Sequence, residues 1–149
     1  MARLEYRLYT EGNETFPVLY QYDRLGRDEA ALRFACDYFV KDGQVYEKTS
    51  CAVESDAYVI YVIQAEDERT MSWRRPDAEG PRGIYMELRE YREGTADYRL
   101  VETLRFADTL DLMLHMQANY LYAEDREWER TSTEVDEDRE TYVFYASPV

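Results

Sequence analysis

The groups in this chain able to do acid–base, nucleophilic or metal chemistry are one histidine, His115, two cysteines, Cys36 and Cys51, and 32 carboxylates. A histidine general base needs an orienting partner and a nucleophile within reach. His115 falls on the polar face of a predicted helix, where it has no such setting and reads as an exposed, idle side chain. The sequence has no HExxH, CxxC or EF-hand pattern, and its six glycines form neither GxGxxG nor a Walker A loop. The chain is therefore read as non-enzymatic, with no catalytic residue, metal site or cofactor assigned. Cys36 lies in an apolar run (Phe34, Ala35, Phe39) and Cys51 in a predicted strand; neither has the basic neighbours that lower a thiol pKa. Both are expected to be structural.

Carboxylates and aromatics leave two possibilities. The stretch Glu124 to Glu140 holds nine acids and three arginines, and Trp73-Arg74-Arg75 has the composition of an interface hot spot. Trp73, Arg74 and Arg75, with Glu134, Asp136, Glu137 and Asp138, are thus the candidate partner-binding residues. Such an acidic surface could speed association with a basic protein. The alternative is a cleft for a cationic or amphipathic small molecule, lined by Glu47, Glu129, Tyr9 and Tyr91. There, aromatic faces beside acids would attract a cation.

The elements that must position these groups repeat along the chain. At an offset of 82, Glu5, Arg7, Tyr9, Glu11 and Gly12 fall on Glu87, Arg89, Tyr91, Glu93 and Gly94. Leu32 and Tyr38 fall on Leu114 and Tyr120, and Glu47, Thr49, Ser50, Val53 and Asp56 fall on Glu129, Thr131, Ser132, Val135 and Asp138. These twelve identities lie in the 52 ungapped columns from residue 5 to 56, where ordinary composition would give roughly three or four. Phe16/Tyr98 and Tyr46/Trp128 are near matches, and after a two-residue insertion Tyr58-Val59-Ile60-Tyr61 falls on Tyr142-Val143-Phe144-Tyr145. Matching at one fixed period is the signature of an internal repeat.

Residue patterns give each copy the same order. Strands at 3–10 and 15–22 flank Glu11-Gly12-Asn13, and strands at 84–92 and 98–105 flank Glu93-Gly94-Thr95. Helices are predicted at 28–41, capped by Asp28, and 109–122, capped by Asp108 or Thr109. Their apolar stripes are Ala31, Phe34, Ala35, Tyr38 and Phe39, and Leu110, Met113, Met116, Tyr120 and Leu121; Glu29, Arg33 and Asp37 share the solvent face of the first. Second hairpins follow at 44–53 with 57–65, and at 126–135 with 140–146.

The expected fold is α+β. It is a tandem duplication of a β-β-α-β-β unit (3–66 and 84–147), joined by a Pro- and Gly-marked connection at 67–83. The two copies make one domain, with an antiparallel sheet, both helices on one side and a pseudo-two-fold. A chain of 149 residues buries enough surface to need no metal or disulfide staple, and copies of about 65 residues are marginal alone. A net charge of −14 argues against phosphate-contact binding to nucleic acid. No apolar run is long enough to span a membrane, the first residues show no signal-peptide pattern, and two unpatterned cysteines suit a reducing, cytoplasmic compartment. The expected role is a regulator or inhibitor acting on another protein, as a monomer or weak homodimer; a ligand sensor is the alternative.

Overall fold

The computed structural model describes residues 1–12, 15–66, 68, 83–95 and 98–149. The chain forms an α+β fold with the elements β1 (Ala2–Leu8), β2 (Val18–Leu25), α1 (Arg27–Ala35), β3 (Tyr38–Lys41), β4 (Gln44–Val53) and β5 (Tyr58–Gln64). These are followed by β6 (Ile84–Glu90), β7 (Leu100–Phe106), α2 (Thr109–Gln117), β8 (Tyr120–Ala123), β9 (Arg126–Asp136) and β10 (Thr141–Pro148). Among the described residues all ten strands belong to one sheet, ordered β2-β1-β5-β4-β3-β9-β10-β6-β7, with β8 on β9.

The sheet is mixed, which corrects the expectation of a purely antiparallel one. Neighbours joined by tight turns run antiparallel, whereas β1 pairs β5, β6 pairs β10 and β3 pairs β9 in parallel. The parallel partners are distant in the chain, with a hairpin, a helix and further strands between β1 and β5 and between β6 and β10, since parallel strands cannot be joined by a tight turn. Pairing within β1–β5 is matched in kind and order by pairing within β6–β10: β1/β2 with β6/β7, β1/β5 with β6/β10, β4/β5 with β9/β10, and β3/β4 with β8/β9.

Both helices are shorter than expected, and each is followed by a strand that the sequence reading had merged into it. Tyr38-Phe39-Val40 is aromatic and β-branched, hence strand-prone, and Asp42-Gly43 is a favoured two-residue hairpin turn. Asp42 and Gly43 have φ of 52° and 72°, the left-handed geometry that turn needs. Glu124 and Asp125, at 52° and 57°, make the corresponding turn between β8 and β9. The N-cap of α1 is Gly26 rather than Asp28, whose Oδ2 accepts a bond from Thr109 Oγ1 on α2 at 2.6 Å. The cap of α2 is as expected: an Asp108 oxygen accepts from the Asp111 N–H at 2.9 Å. Asp108→Ala should cost about 1 kcal/mol, lowering Tm by roughly 2–4 °C in a thermal unfolding scan; an unchanged Tm would show the cap to be dispensable.

The two helices pack on the same face of the sheet. Leu32 and Cys36 of the α1 end, Leu112 and Met116 of α2, and Leu4, Ile60, Met86, Phe144 and Trp128 of the strands share one buried cluster. The buried stripes differ from those expected. Leu32 and Leu112 point inward, while Leu110 and Leu114 are 65% and 61% exposed. Arg33, expected on the solvent face, is only 5% exposed. Its guanidinium lies over the Tyr22 ring at 4.8 Å and 3.5 Å from a Glu137 carboxylate oxygen, which together compensate a buried charge. Nine-residue helices, each followed almost at once by a strand, bury only one narrow stripe.

The two sets of strands meet where β3 pairs with β9. Four further hydrogen bonds reinforce this seam. Thr133 N–H donates to Asp37 Oδ2 at 2.9 Å, Lys41 Nζ donates to Glu137 at 2.8 Å, and the two Asp138 carboxylate oxygens accept from the backbone N–H groups of Asp42 and Gly43, each at 2.9 Å. No helix among the described residues is long and apolar enough to cross a membrane.

Candidate functional site

Alternation along the strands sends one set of side chains to the helices and the other to the opposite face. On β9, Val135 joins the core beneath the helices, so Glu134 and Asp136 face the other way. On β10, Phe144 and Ala146 face the helices and Tyr145 does not; on β6, Met86 and Leu88 do and Glu87 and Arg89 do not. This second face carries a cavity of about 250 Å³ beside the β3–β9 seam. Engineered apolar cavities of about 150 Å³ already hold benzene, so the space suits a small organic molecule.

The lining comes from both sides of the seam: Tyr38, Val45 and Glu68 from the first, and Tyr91, Tyr98, Thr131, Ser132, Glu134 and Tyr145 from the second. Tyr38 and Glu134 are direct partners in the β3–β9 ladder, which sets an aromatic ring beside a carboxyl group. Tyr91 and Tyr98 are stacked at 5.7 Å with 20° between their planes, and Tyr98 meets Tyr145 edge-on at 5.1 Å. A matching arrangement occurs in the first half: Tyr9 and Phe16 stack at 5.5 Å, and Phe16 meets Tyr61 edge-on at 5.3 Å. The offset of 82 sets Ala52 against Glu134, so only one of the two aromatic groups has an acid at its centre.

Glu134 is 6% exposed. Its one hydrogen bond among the described residues comes from the Tyr145 hydroxyl at 2.9 Å, and none of their Lys or Arg side chains pairs with it. Burial pushes its carboxyl up to about 8, and the charge of Asp136 two residues along the strand adds to the shift; Tyr145's bond and Arg139 only partly offset this. Burial and the neighbouring carboxylate likewise hold the Tyr145 hydroxyl well above its usual range. Burial and the Asp136 charge thus favour the neutral form of Glu134, which faces a small aromatic cavity.

Beside the cavity lies a charge-balanced network. Glu87, fully buried, accepts from Arg89 Nε at 2.9 Å and from Arg139 Nη1 at 2.9 and 3.1 Å. Asp136, also buried, accepts from Arg139 Nε at 2.8 Å and from its backbone N–H at 3.1 Å. Arg89 Nη1 donates to the Tyr98 carbonyl at 2.8 Å, which ties the network to the cavity wall.

The residues singled out by sequence are dispersed. Tyr91 lines the cavity, as does Glu134, which had been assigned to a partner-binding surface. Tyr9 belongs to the other aromatic group. Glu47 and Glu129 are exposed, at the ladder positions opposite Tyr38 and Tyr120, and do not line the cavity. Asp136 is bonded to Arg139, and Glu137 is held by Lys41 and the Tyr22 hydroxyl; only Asp138 is exposed among these four acids, and its carboxylate is engaged by the β3–β4 turn. The chain bends sharply after Asp136, so acids adjacent in sequence are turned toward different neighbours rather than into one outward patch. Trp73, Arg74 and Arg75 lie outside the described residues.

The paired polar residues have structural partners. Arg7 Nε donates to Glu5 at 3.0 Å as Arg89 does to Glu87. Thr49 Oγ1 donates to the Tyr61 carbonyl at 3.2 Å, and Thr131 Oγ1 to the Tyr145 carbonyl at 3.0 Å, each beside a bulge in the ladder. Cys36 is buried at the C-cap of α1, where burial raises its thiol pKa; Cys51 is exposed, and partial desolvation raises it too. His115 stacks edge-on against Phe106 at 4.7 Å. Among the described residues no three His, Cys, Asp or Glu side chains converge as a metal site.

The sequence does not single out Tyr38, Val45, Glu68, Tyr98 or Tyr145 as lining residues, whereas Thr131 and Ser132 stand out as a pair retained in both halves. The signal for Glu134 was present in the repeat, where an acid replaces an alanine. No known protein family, curated protein or solved structure matches the chain.

Proposed function

We propose that this protein is a non-enzymatic sensor or carrier of a small organic cation, held in the cavity beside the β3–β9 seam. The observation that carries the reading is Glu134: a buried carboxyl without a cationic partner among the described residues, set among the rings of Tyr38, Tyr91, Tyr98 and Tyr145. Isolated buried charge is costly and the group responds by staying neutral. A cationic ligand would supply the missing countercharge, while the tyrosine faces attract it through their quadrupoles. The hydroxyls of Thr131 and Ser132 add polar groups that could orient it. Elsewhere on this face the carboxylates of Glu87 and Asp136 are already compensated by arginine.

The site is further read as the product of a tandem duplication in which one copy diverged. Its support is the set of aligned identities and the matching order of strand pairings. In this reading the Tyr9–Phe16–Tyr61 group is the copy without the acid. The reading also places the acidic hairpin's residues in the seam and the cavity, so the net charge of the chain need not serve a protein partner.

The test is equilibrium titration with tetramethylammonium, phenethylammonium, a neutral isostere of each, and acetate, followed by NMR shifts of labelled tyrosines. Both cations should give saturable shifts at Tyr91, Tyr98 and Tyr145. Glu134→Gln should weaken cation binding at least tenfold, corresponding to about 1.4 kcal/mol or more. Equal affinity for cations and neutral isosteres, or no saturable shift at all, would overturn the proposal.

A further inference from the structure

We infer that the site takes up its ligand by exchange: an organic ammonium ion settles against Glu134 as the proton of that carboxyl leaves to solvent. The inference rests on reading the cavity as a cation site and adds how its affinity is regulated. In the step, the O–H bond of the Glu134 acid breaks and its proton passes to a buffer base. The carboxylate then keeps the electron pair and faces the ammonium charge. No redox change or covalent bond to the ligand is involved.

Geometry supports a one-for-one exchange. The groups that face Glu134 come from several elements. Asp136 lies two residues along β9 on the same face, Tyr145 donates its hydroxyl from β10, and Tyr38 is the ladder partner on β3. Glu68 after β5, Tyr91 after β6, and Tyr98 before β7 complete the titratable lining. Arg139, in the turn between β9 and β10, is the basic group whose charge acts on Glu134. Its Nε and Nη1 are already committed to Asp136 and Glu87, so two acids share its charge before Glu134 can. Glu134 ionised without a ligand would therefore stand beside further negative charge, with no dedicated countercharge among the described residues. An ammonium ion is the species whose arrival makes ionisation favourable.

The free carboxyl, held at about 8, is mostly protonated at pH 7 and mostly ionised by pH 9.5. An exchange site then releases about 0.9 proton per cation at pH 7 and close to none at pH 9.5, by linkage. Affinity for a permanent cation should rise by roughly tenfold over the same interval.

The experiment is isothermal titration of the full chain with tetramethylammonium chloride, in buffers of different ionisation enthalpy, at pH 7.0 and 9.5. The ion has no proton of its own, so any proton counted comes from the protein. The expected result is buffer-dependent heat at pH 7.0 that vanishes at pH 9.5, with tighter binding at the higher pH. Glu134→Gln should bind more weakly, with no proton release and no pH dependence in this range. Saturable binding with buffer-independent heat and equal affinity at both pH values would overturn the exchange while leaving the cation site standing. Absence of saturable binding at either pH would overturn the site itself.

Discussion

Replacing Arg139 with methionine is expected to destabilise the protein by about 3–5 kcal/mol, the usual cost of leaving buried charge without its partner. Arg139 supplies charge-assisted bonds to two carboxylates at once, Glu87 and Asp136, both essentially inaccessible to water. Methionine keeps much of the aliphatic volume but none of the donors, so packing loss is not the main effect. Arg89 still serves Glu87 through Nε, which leaves Asp136 as the more exposed casualty. The double variant Arg139→Met with Asp136→Asn should therefore recover part of the loss. Urea unfolding at pH 7 measures both; a loss under 1 kcal/mol for the single variant would show that the network carries little of the fold.

A second large effect is expected from pH alone. Glu134 has a folded-state pKa of about 8 against an ordinary value of 4.5. The folded protein thus binds more protons than the unfolded chain between these values. Stability contributed by the neutral acid is fully present below about pH 4.5 and is lost as pH rises toward 8. At about 1.4 kcal/mol per unit, the full shift corresponds to at most roughly 5 kcal/mol. A decline of about 2–5 kcal/mol between pH 5 and 9 is the expected result for the ligand-free protein. Glu134→Gln, which keeps the shape and cannot ionise, should remove most of that decline and be the more stable protein at pH 9. On the acid side the trend reverses. Burial acts to raise the Glu137 carboxyl, but bonds from Lys41 and Tyr22 and the charge of Arg33 outweigh it and hold it below its usual value. The stability it contributes is lost as pH falls through that lowered range. Denaturant midpoints at pH 5, 7 and 9 test the argument; parallel profiles for the native protein and Glu134→Gln would contradict it.

Local patterns made the α+β class and most of the strands legible. The hairpin 44–53 with 57–65 was marked by alternation and turn residues, and it stands as β4 and β5. The helix ends were not legible in the same way. Tyr38-Phe39-Val40 continues an apolar run that fits a helix as well as a strand, and only pairing with β4 and β9 decides between them. Parallel pairing was also invisible, because it joins segments from about fifty to nearly a hundred residues apart and leaves no local mark. Arg33 shows the same limit: its burial depends on Tyr22 from β2 and Glu137 from beyond β9, neither of which is its neighbour in sequence.

The site was legible only in fragments. Aromatic and acidic residues near a junction could be anticipated from composition, and Tyr91 was among those chosen. Glu134 was seen as one charge in an acidic run, because sequence does not show which side of a strand becomes covered. Tyr38 and Tyr145 reach the cavity through strand register, which is a tertiary property. By contrast, Glu47 and Glu129 were chosen because they recur, and recurrence here accompanies exposed ladder positions rather than convergence.

The central claim is that Glu134 waits as an uncharged acid for a cationic ligand. Carboxyl carbon NMR of Glu134, titrated from pH 4 to 10 with and without saturating tetramethylammonium, tests it most directly. The account predicts a midpoint near 8 in the free protein and a clear fall when the cation is bound. A midpoint in the ordinary carboxylate range, the same in both samples, would contradict it.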